Sequence, residues 1–277
     1  MVGRGHAVAG DGTRLWFEDR GEGPPIVFVH EFGGEPASWD AQVEALGADY
    51  RCVRYAARGF EPSDVPDDEA RYGQPISSGD LVAVLDHLQI GSAHLVGTSM
   101  GSFTALDVTL THPDRVRSLT LVGNSSGPRD EAERERYRDG WVDEEIRHRE
   151  QLGGRGAVAI LEADPAYRTL RIDHPDVWAA YAARLAAQSV DGALHVLRRV
   201  HRDRRSLWDD EARLRAIACP VLLVHGDEDY FLVGETNDYL EEVIPQVRRV
   251  VFIGAGHLAN IEMPQRFNTL LRAHVSG

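Results

Sequence analysis

Short, largely apolar runs recur along this chain, and each ends in a cluster of glycine and polar residues. Ile26-Val27-Phe28-Val29 stops at His30-Glu31-Phe32-Gly33-Gly34, and Val221-Leu222-Leu223-Val224 stops at His225-Gly226-Asp227-Glu228-Asp229. A continuous apolar run of this length fits a strand buried on both faces, as in a parallel sheet. Comparable strands are expected at Arg14 to Asp19, Tyr50 to Tyr55, the residues before Gly97, Ser118 to Val122 and Arg248 to Ile253. Helical segments separate them: Ser38 to Leu46, Ser78 to Leu88 with Ser78 as N-cap, Gly101 to Thr111, Thr236 to Val243 and Pro264 to Ala273. Strands alternating with helices predict an α/β protein with a mostly parallel, doubly wound sheet of about eight strands.

The alternation breaks after Gly127. Residues 128–206 are rich in Arg, Glu and Ala, carry Tyr137, Trp141, Tyr167, Trp178 and Tyr181 at helical spacings, and show no strand series. The expectation is a core of residues 1–127 and 207–277, with 128–206 as a helical cap. Open α/β sheets bind ligands beyond the carboxyl ends of their strands, and the cap is expected there.

The net charge of −14 argues against nucleic acid and anionic membranes as partners. The chain contains no lysine, which excludes Schiff-base chemistry and a lysine-held pyridoxal cofactor. Two cysteines, Cys52 and Cys219, sit at the edges of apolar runs and read as buried thiols; no pair has metal-ligand spacing. With no apolar leader and no apolar run near 18 residues, a cytoplasmic protein is expected.

One stretch carries chemistry. His94-Leu95-Val96-Gly97-Thr98-Ser99-Met100-Gly101 reads as a strand, a sharp turn and a helix start, with Gly-x-Ser-x-Gly at the turn. Such an elbow exposes the serine hydroxyl on a strained backbone, and small residues two positions away on either side let strand and helix pass closely. An alcohol is a weak nucleophile at neutral pH, so Ser99 needs a base, and the base an orienting carboxylate. His257 follows the last strand in a glycine-rich turn, and Asp229 follows the strand before it, with Asp227 and Glu228 as rivals. The order Ser99, Asp229, His257 is that of the α/β-hydrolase triad.

With His30 to Gly34, Arg58-Gly59, the elbow and the Gly226-to-Asp229 and Gly256-His257 pair, the chain resembles the α/β-hydrolase superfamily, in the branch with a serine nucleophile and a helical cap. The resemblance implies that Ser99, Asp229 and His257 catalyse, that the Phe32 and Met100 backbone N–H groups form the oxyanion hole, and that no metal or other cofactor is needed. The chain departs from the family at Glu31, usually glycine; at Ala56, usually aspartate; at Ser102, often glycine; and at Val233, often proline. Glu31 is expected to pair with Arg58 in place of the missing aspartate. The alternative is that Glu31 or Glu61 enters the pocket. His30 and His225 read as structural. Glu31, Trp141, Trp178, Tyr181 and Leu258 are candidate pocket residues, although the three aromatic ones could instead pack cap on core.

The expected activity is hydrolysis of a carboxylic ester or lactone of a small hydrophobic molecule through an acyl-enzyme on Ser99. A thioesterase, a C–C bond hydrolase, an amidase and a cofactor-free perhydrolase remain open on the same residues. A small-molecule receptor built on a hydrolase scaffold is the alternative of another class.

Overall fold

The computed structural model describes residues 2–125 and 129–277. The expected boundary between Gly127 and Pro128 therefore lies outside the described residues. In chain order the core opens with β1 (Val2–Val8), β2 (Arg14–Arg20), β3 (Pro25–Val29), α1 (Asp40–Leu46), β4 (Arg51–Tyr55), α2 (Gln74–His87), β5 (Ala93–Thr98), α3 (Met100–Thr111) and β6 (Val116–Val122). Between β6 and β7 the described residues form helices and no strand: α4 (Glu131–Glu135), α5 (Asp143–Leu152), α6 (Gly154–Ala163), α7 (Arg168–Asp173), α8 (Pro175–Ala187), α9 (Val190–Val196) and α10 (Glu211–Arg215). Then come β7 (Val221–Gly226), α11 (Phe231–Val243), β8 (Val247–Phe252), α12 (Ala259–Glu262) and α13 (Pro264–Val275).

The eight strands form one sheet in the order β1-β2-β4-β3-β5-β6-β7-β8. β1 and β2 join it antiparallel, and the pairs from β4 to β8 are parallel. Alternate strand residues feed two cores, which is why the runs are apolar throughout. Val27, Val29, Leu95, Leu119, Leu121 and Leu223 meet α2, α3, α10 and α11 on one face. Ile26, Phe28, Val96, Val122, Leu222 and Val224 meet α1, α12 and α13 on the other. Because the central strands run parallel, β3, β5, β6, β7 and β8 all end at one edge, and every loop of the candidate site leaves from it.

Three local expectations change. β1 was not foreseen: Val2–Val8 is an edge strand with glycine at positions 3 and 5 and no apolar run. α2 begins at Gln74, with Pro75 in its first turn, so Ser78 is no cap. The Ser78 hydroxyl instead bonds Asp107 on α3 at 2.7 Å and ties the two helices. Cys52 is buried but Cys219 only partly so, and burial pushes the Cys52 thiol up to about 12.

Candidate active site

Ser99 lies between β5 and α3 with φ 50° and ψ −114°, a conformation that L-residues rarely adopt. Tight packing around the turn imposes it. A Cβ on Gly97 would lie 2.3 Å from the Gly101 carbonyl oxygen, and one on Gly101 would lie 2.1 Å from the Val29 oxygen. Neither glycine admits a side chain. Ser102, where relatives often have glycine, donates its hydroxyl to the Gly97 carbonyl at 2.7 Å and closes the elbow from behind.

His257 Nδ1 donates to Asp229 Oδ1 at 2.8 Å, and the Tyr230 N–H donates to the same oxygen at 2.7 Å. Both side chains are almost wholly buried. Burial alone would depress the His257 pKa, but the Asp229 charge and hydrogen bond outweigh it, with Asp164 and Glu31 adding to the effect. The imidazole therefore titrates above its ordinary value. The rival carboxylates face elsewhere: Asp227 is exposed and accepts the Gly254 N–H, while Glu228 is exposed and pairs with Arg168. No hydrogen bond joins Ser99 Oγ to His257 among the described residues, although both line one cavity. Such bonds are often long before a ligand binds.

The loop after β3 is held by His30. Its Nε2 accepts the Ala57 N–H at 3.0 Å, so Nδ1 carries the proton and donates to the Glu31 carbonyl at 2.8 Å. Burial lowers the His30 pKa to about 4, which keeps the ring neutral. Two residues on, the Phe32 N–H makes no turn or loop bond among the described residues, and neither does that of Met100, the first residue of α3. Met100 follows Ser99 directly, and Phe32 lines the same cavity as Ser99.

Glu31 does not pair with Arg58. Its carboxyl folds back onto its own loop, accepts the Ser38 hydroxyl at 2.8 Å and lies where a Gly34 side chain would be. Arg58 points away and grips Asp80 on α2 through two bonds, of 2.6 and 2.5 Å, while also reaching Asp11 at 2.7 Å. Burial raises the Glu31 pKa against weaker opposing contributions, first from its own backbone and then from Ser38, His257 and Tyr181. The raised pKa moves the Glu31 carboxyl toward its neutral form, which lessens the conflict that a carboxylate would create beside the oxyanion loop. Glu61 is exposed and stays out of the site.

A cavity of about 220 Å³ opens above Ser99 and His257. Of the candidate pocket residues only Trp141 lines it. Glu31 and Leu258 are fully buried, and Trp178 and Tyr181 stack on each other in a cluster with Tyr167, Leu185 and the core residue Leu258, so these two aromatic residues pack cap on core. The walls unforeseen from sequence include Tyr137, Glu145, Arg149, His201 and Arg204. Tyr137 and Trp141 come from a π-helical turn at Arg136–Val142, and His201 ends a second at Leu197–His201. Each π turn adds a residue to the helix and rotates later side chains by about 100°, so 3.6-residue periodicity misplaces them.

A family model for the alpha/beta hydrolase fold matches residues 24–264. The chain belongs to the α/β-hydrolase family. This hydrolase is 27% identical over 259 residues to a putative carbamate hydrolase, RutD, of Pseudomonas savastanoi pv. phaseolicola, covering 90% of this chain and 93% of that one. It is 28% identical to 3-oxoadipate enol-lactonase 1 of Acinetobacter baylyi, with 92% and 89% covered. Among solved structures, it superposes on the enol-lactonase of Burkholderia xenovorans LB400 with a TM-score of 0.85 at 23% identity, over 99% of this chain and 100% of that one. It also superposes on Est816, described as an N-acyl homoserine lactone degrading enzyme, with a TM-score of 0.80 at 27% identity, over 97% and 99%.

Two residues of this hydrolase that support His257 were not singled out from sequence. The buried Glu262 carboxylate accepts the Gly256 N–H at 2.8 Å and the Leu258 N–H at 3.1 Å, the amides on either side of His257. It also accepts the hydroxyl of Thr169 on α7, and the His257 N–H donates to the Ala166 carbonyl at 2.9 Å. The histidine loop is thus clamped between α12 and the helical block. Gly123, at the end of β6 with φ 56°, lies under the imidazole; a Cβ there would sit 3.0 Å from the ring's Cε1 and Nδ1. The glycine could be read as a turn residue, but nothing in the sequence marks it as the floor of a histidine.

Proposed function

We propose that this chain is a serine hydrolase that cleaves a carboxylic ester or lactone of a small molecule through an acyl-enzyme on Ser99. The observation that carries the reading is the buried Asp229–His257 hydrogen bond, with the imidazole opening into the cavity that also holds Ser99. In this mechanism Ser99 Oγ attacks the acyl carbonyl carbon while His257 Nε2 takes its proton. Asp229 holds the reacting tautomer and stabilises the imidazolium. The Phe32 and Met100 N–H groups receive the oxyanion, each such donor contributing about 3 kcal/mol. His257 then protonates the departing alkoxide, and water attacks the acyl-enzyme by the reverse sequence. Residues 128–206 serve as the lid that walls the pocket.

The names of the relatives, a carbamate hydrolase and an enol-lactonase, fit attack on an acyl carbonyl. The mainly apolar aromatic walls fit a small organic acyl group. The test is covalent labelling with a fluorophosphonate, followed by kcat on an activated aryl ester. Ser99→Ala and His257→Ala should each lose about 10⁶ in kcat and Asp229→Asn about 10⁴, while Glu228→Gln stays within tenfold. Ser99→Ala that remains active, or a folded protein that never labels, would end the serine-hydrolase reading; the second outcome favours a receptor.

A further inference from the structure

Among the described residues that line the cavity, Arg149 and Arg204 carry guanidinium groups and Glu145 a carboxylate, one positive charge more than negative. Arg149 has a partner: its Nε donates to Glu145 at 3.0 Å, and both side chains are nearly fully buried. Arg204, only 5% exposed, makes no ion pair among the described residues. Its one hydrogen bond there runs from Nη2 to His201 Nδ1 at 3.2 Å, and its Nε is buried without a partner. The Phe103 ring faces the guanidinium at 3.6 Å and offers a weakly polar surface, not an anion.

An unpaired buried cation is costly, and proteins seldom keep one without a counterion. Burial lowers the Arg204 pKa, which is the electrostatic mark of that cost. Its neighbour adds a second open donor. Because Arg204 can only donate, His201 Nδ1 accepts and the ring proton sits on Nε2, which is buried and has no partner among the described residues. Burial holds His201 neutral, so it supplies a hydrogen bond and no charge. Tyr137, 3.0 Å from His201 Nδ1, can only donate its hydroxyl to that nitrogen, so the open donors in the cavity that Ser99 and His257 also line are those of Arg204 and His201 Nε2.

We propose that the substrate carries an anionic group, most simply a carboxylate, which Arg204 binds with help from His201 Nε2–H. This rests on the serine-hydrolase reading and narrows its substrate class to small esters or lactones that are themselves acids. A guanidinium fork matches a carboxylate's two oxygens, and fixing that end sets the distance at which the acyl carbon meets Ser99. Specificity follows from the same cost: a neutral analogue leaves the buried guanidinium unpaired in the complex.

The test pairs two aryl esters of the same length, mono-4-nitrophenyl glutarate and 4-nitrophenyl pentanoate, which differ by carboxylate against methyl. For the wild-type chain kcat/KM should favour the acid at least about tenfold, and Arg204→Met should cut that ratio about 30-fold, within the range for a charged hydrogen bond. Binding is measured separately on Ser99→Ala by titration calorimetry, with monomethyl glutarate against methyl pentanoate. The acid should bind more tightly, and Ser99→Ala combined with Arg204→Met should lose the difference. Equal binding of the two probes, or a wild-type preference for pentanoate, overturns the anion site and leaves the hydrolase reading standing. Arg204-dependent binding without turnover of either ester keeps the anion site and removes the hydrolase reading. The wild-type comparisons decide the matter even if Arg204→Met fails to fold.

Discussion

Glu262 offers a demanding test of how the site is held together. Glu262→Gln preserves shape but replaces one carboxylate oxygen with an NH₂ group. Oxygen Oε2 receives Gly256 N–H and the Thr169 hydroxyl, and Oε1 receives Leu258 N–H. Glutamine can satisfy one side only; on the other, donor faces donor. One charge-assisted bond is lost and a buried N–H is orphaned, for a combined loss of about 3 kcal/mol. In a domain of this size that lowers Tm by about 5–10 °C. The orphaned amide adjoins His257, so the imidazole shifts relative to Ser99, and misplacement near 1 Å costs about 10² in turnover. The assay is kcat and KM on an activated aryl ester at 20 °C, well below the melting transition, with the rate of Ser99 labelling by a fluorophosphonate alongside. The expected pattern is a 10- to 100-fold fall in kcat and in labelling rate, with KM little changed. A variant that melts several degrees lower yet keeps wild-type kcat and labelling would refute the positioning role and leave Glu262 as a structural tie.

Three further outcomes follow from the same geometry. His257 acts as a base only when neutral and its pKa is raised, so kcat/KM should fall as pH drops through a limb lying above 6.5. Asp229→Asn removes the main raising cause and should move that limb downward; an unmoved limb in the pH–rate profile would break the link. Gly123→Ala places a methyl group 3.0 Å from the imidazole at a positive φ, so kcat should drop by about tenfold or more while the fold persists by circular dichroism. Arg58→Leu strands the buried Asp80 without its partner and should cost about 3–5 kcal/mol in denaturant unfolding, whereas Glu31→Gln, which keeps the shape of a carboxyl that has no ion-pair partner to strand, should cost less.

The features readable in the sequence are those whose cause is local or repeated. Apolar runs such as Ile26–Val29 announce strands because both faces are buried. Gly97 and Gly101 announce the elbow because backbone passes within van der Waals distance of each. Parallel strands bring the loops that follow them to one edge, so chain order alone placed Ser99, Asp229 and His257 near one another.

Tertiary packing decided the rest. Arg58 chose Asp80 and Asp11, 22 and 47 residues away in sequence, over Glu31, because α2 and the β1–β2 turn reach its guanidinium and Glu31 turns back on its own loop. β1 left no apolar signature, since an edge strand with glycines is specified by its partner β2. The pocket was the least legible part. In a block of amphipathic helices every apolar face is a candidate wall, and two π turns displace the faces from their regular period. Hence Trp178 and Tyr181 went to the seam between cap and core while Arg149, His201 and Arg204 came to the cavity. Periodicity records which side chains avoid water; which of them faces a substrate depends on how the helices cross, and only the folded chain supplies that.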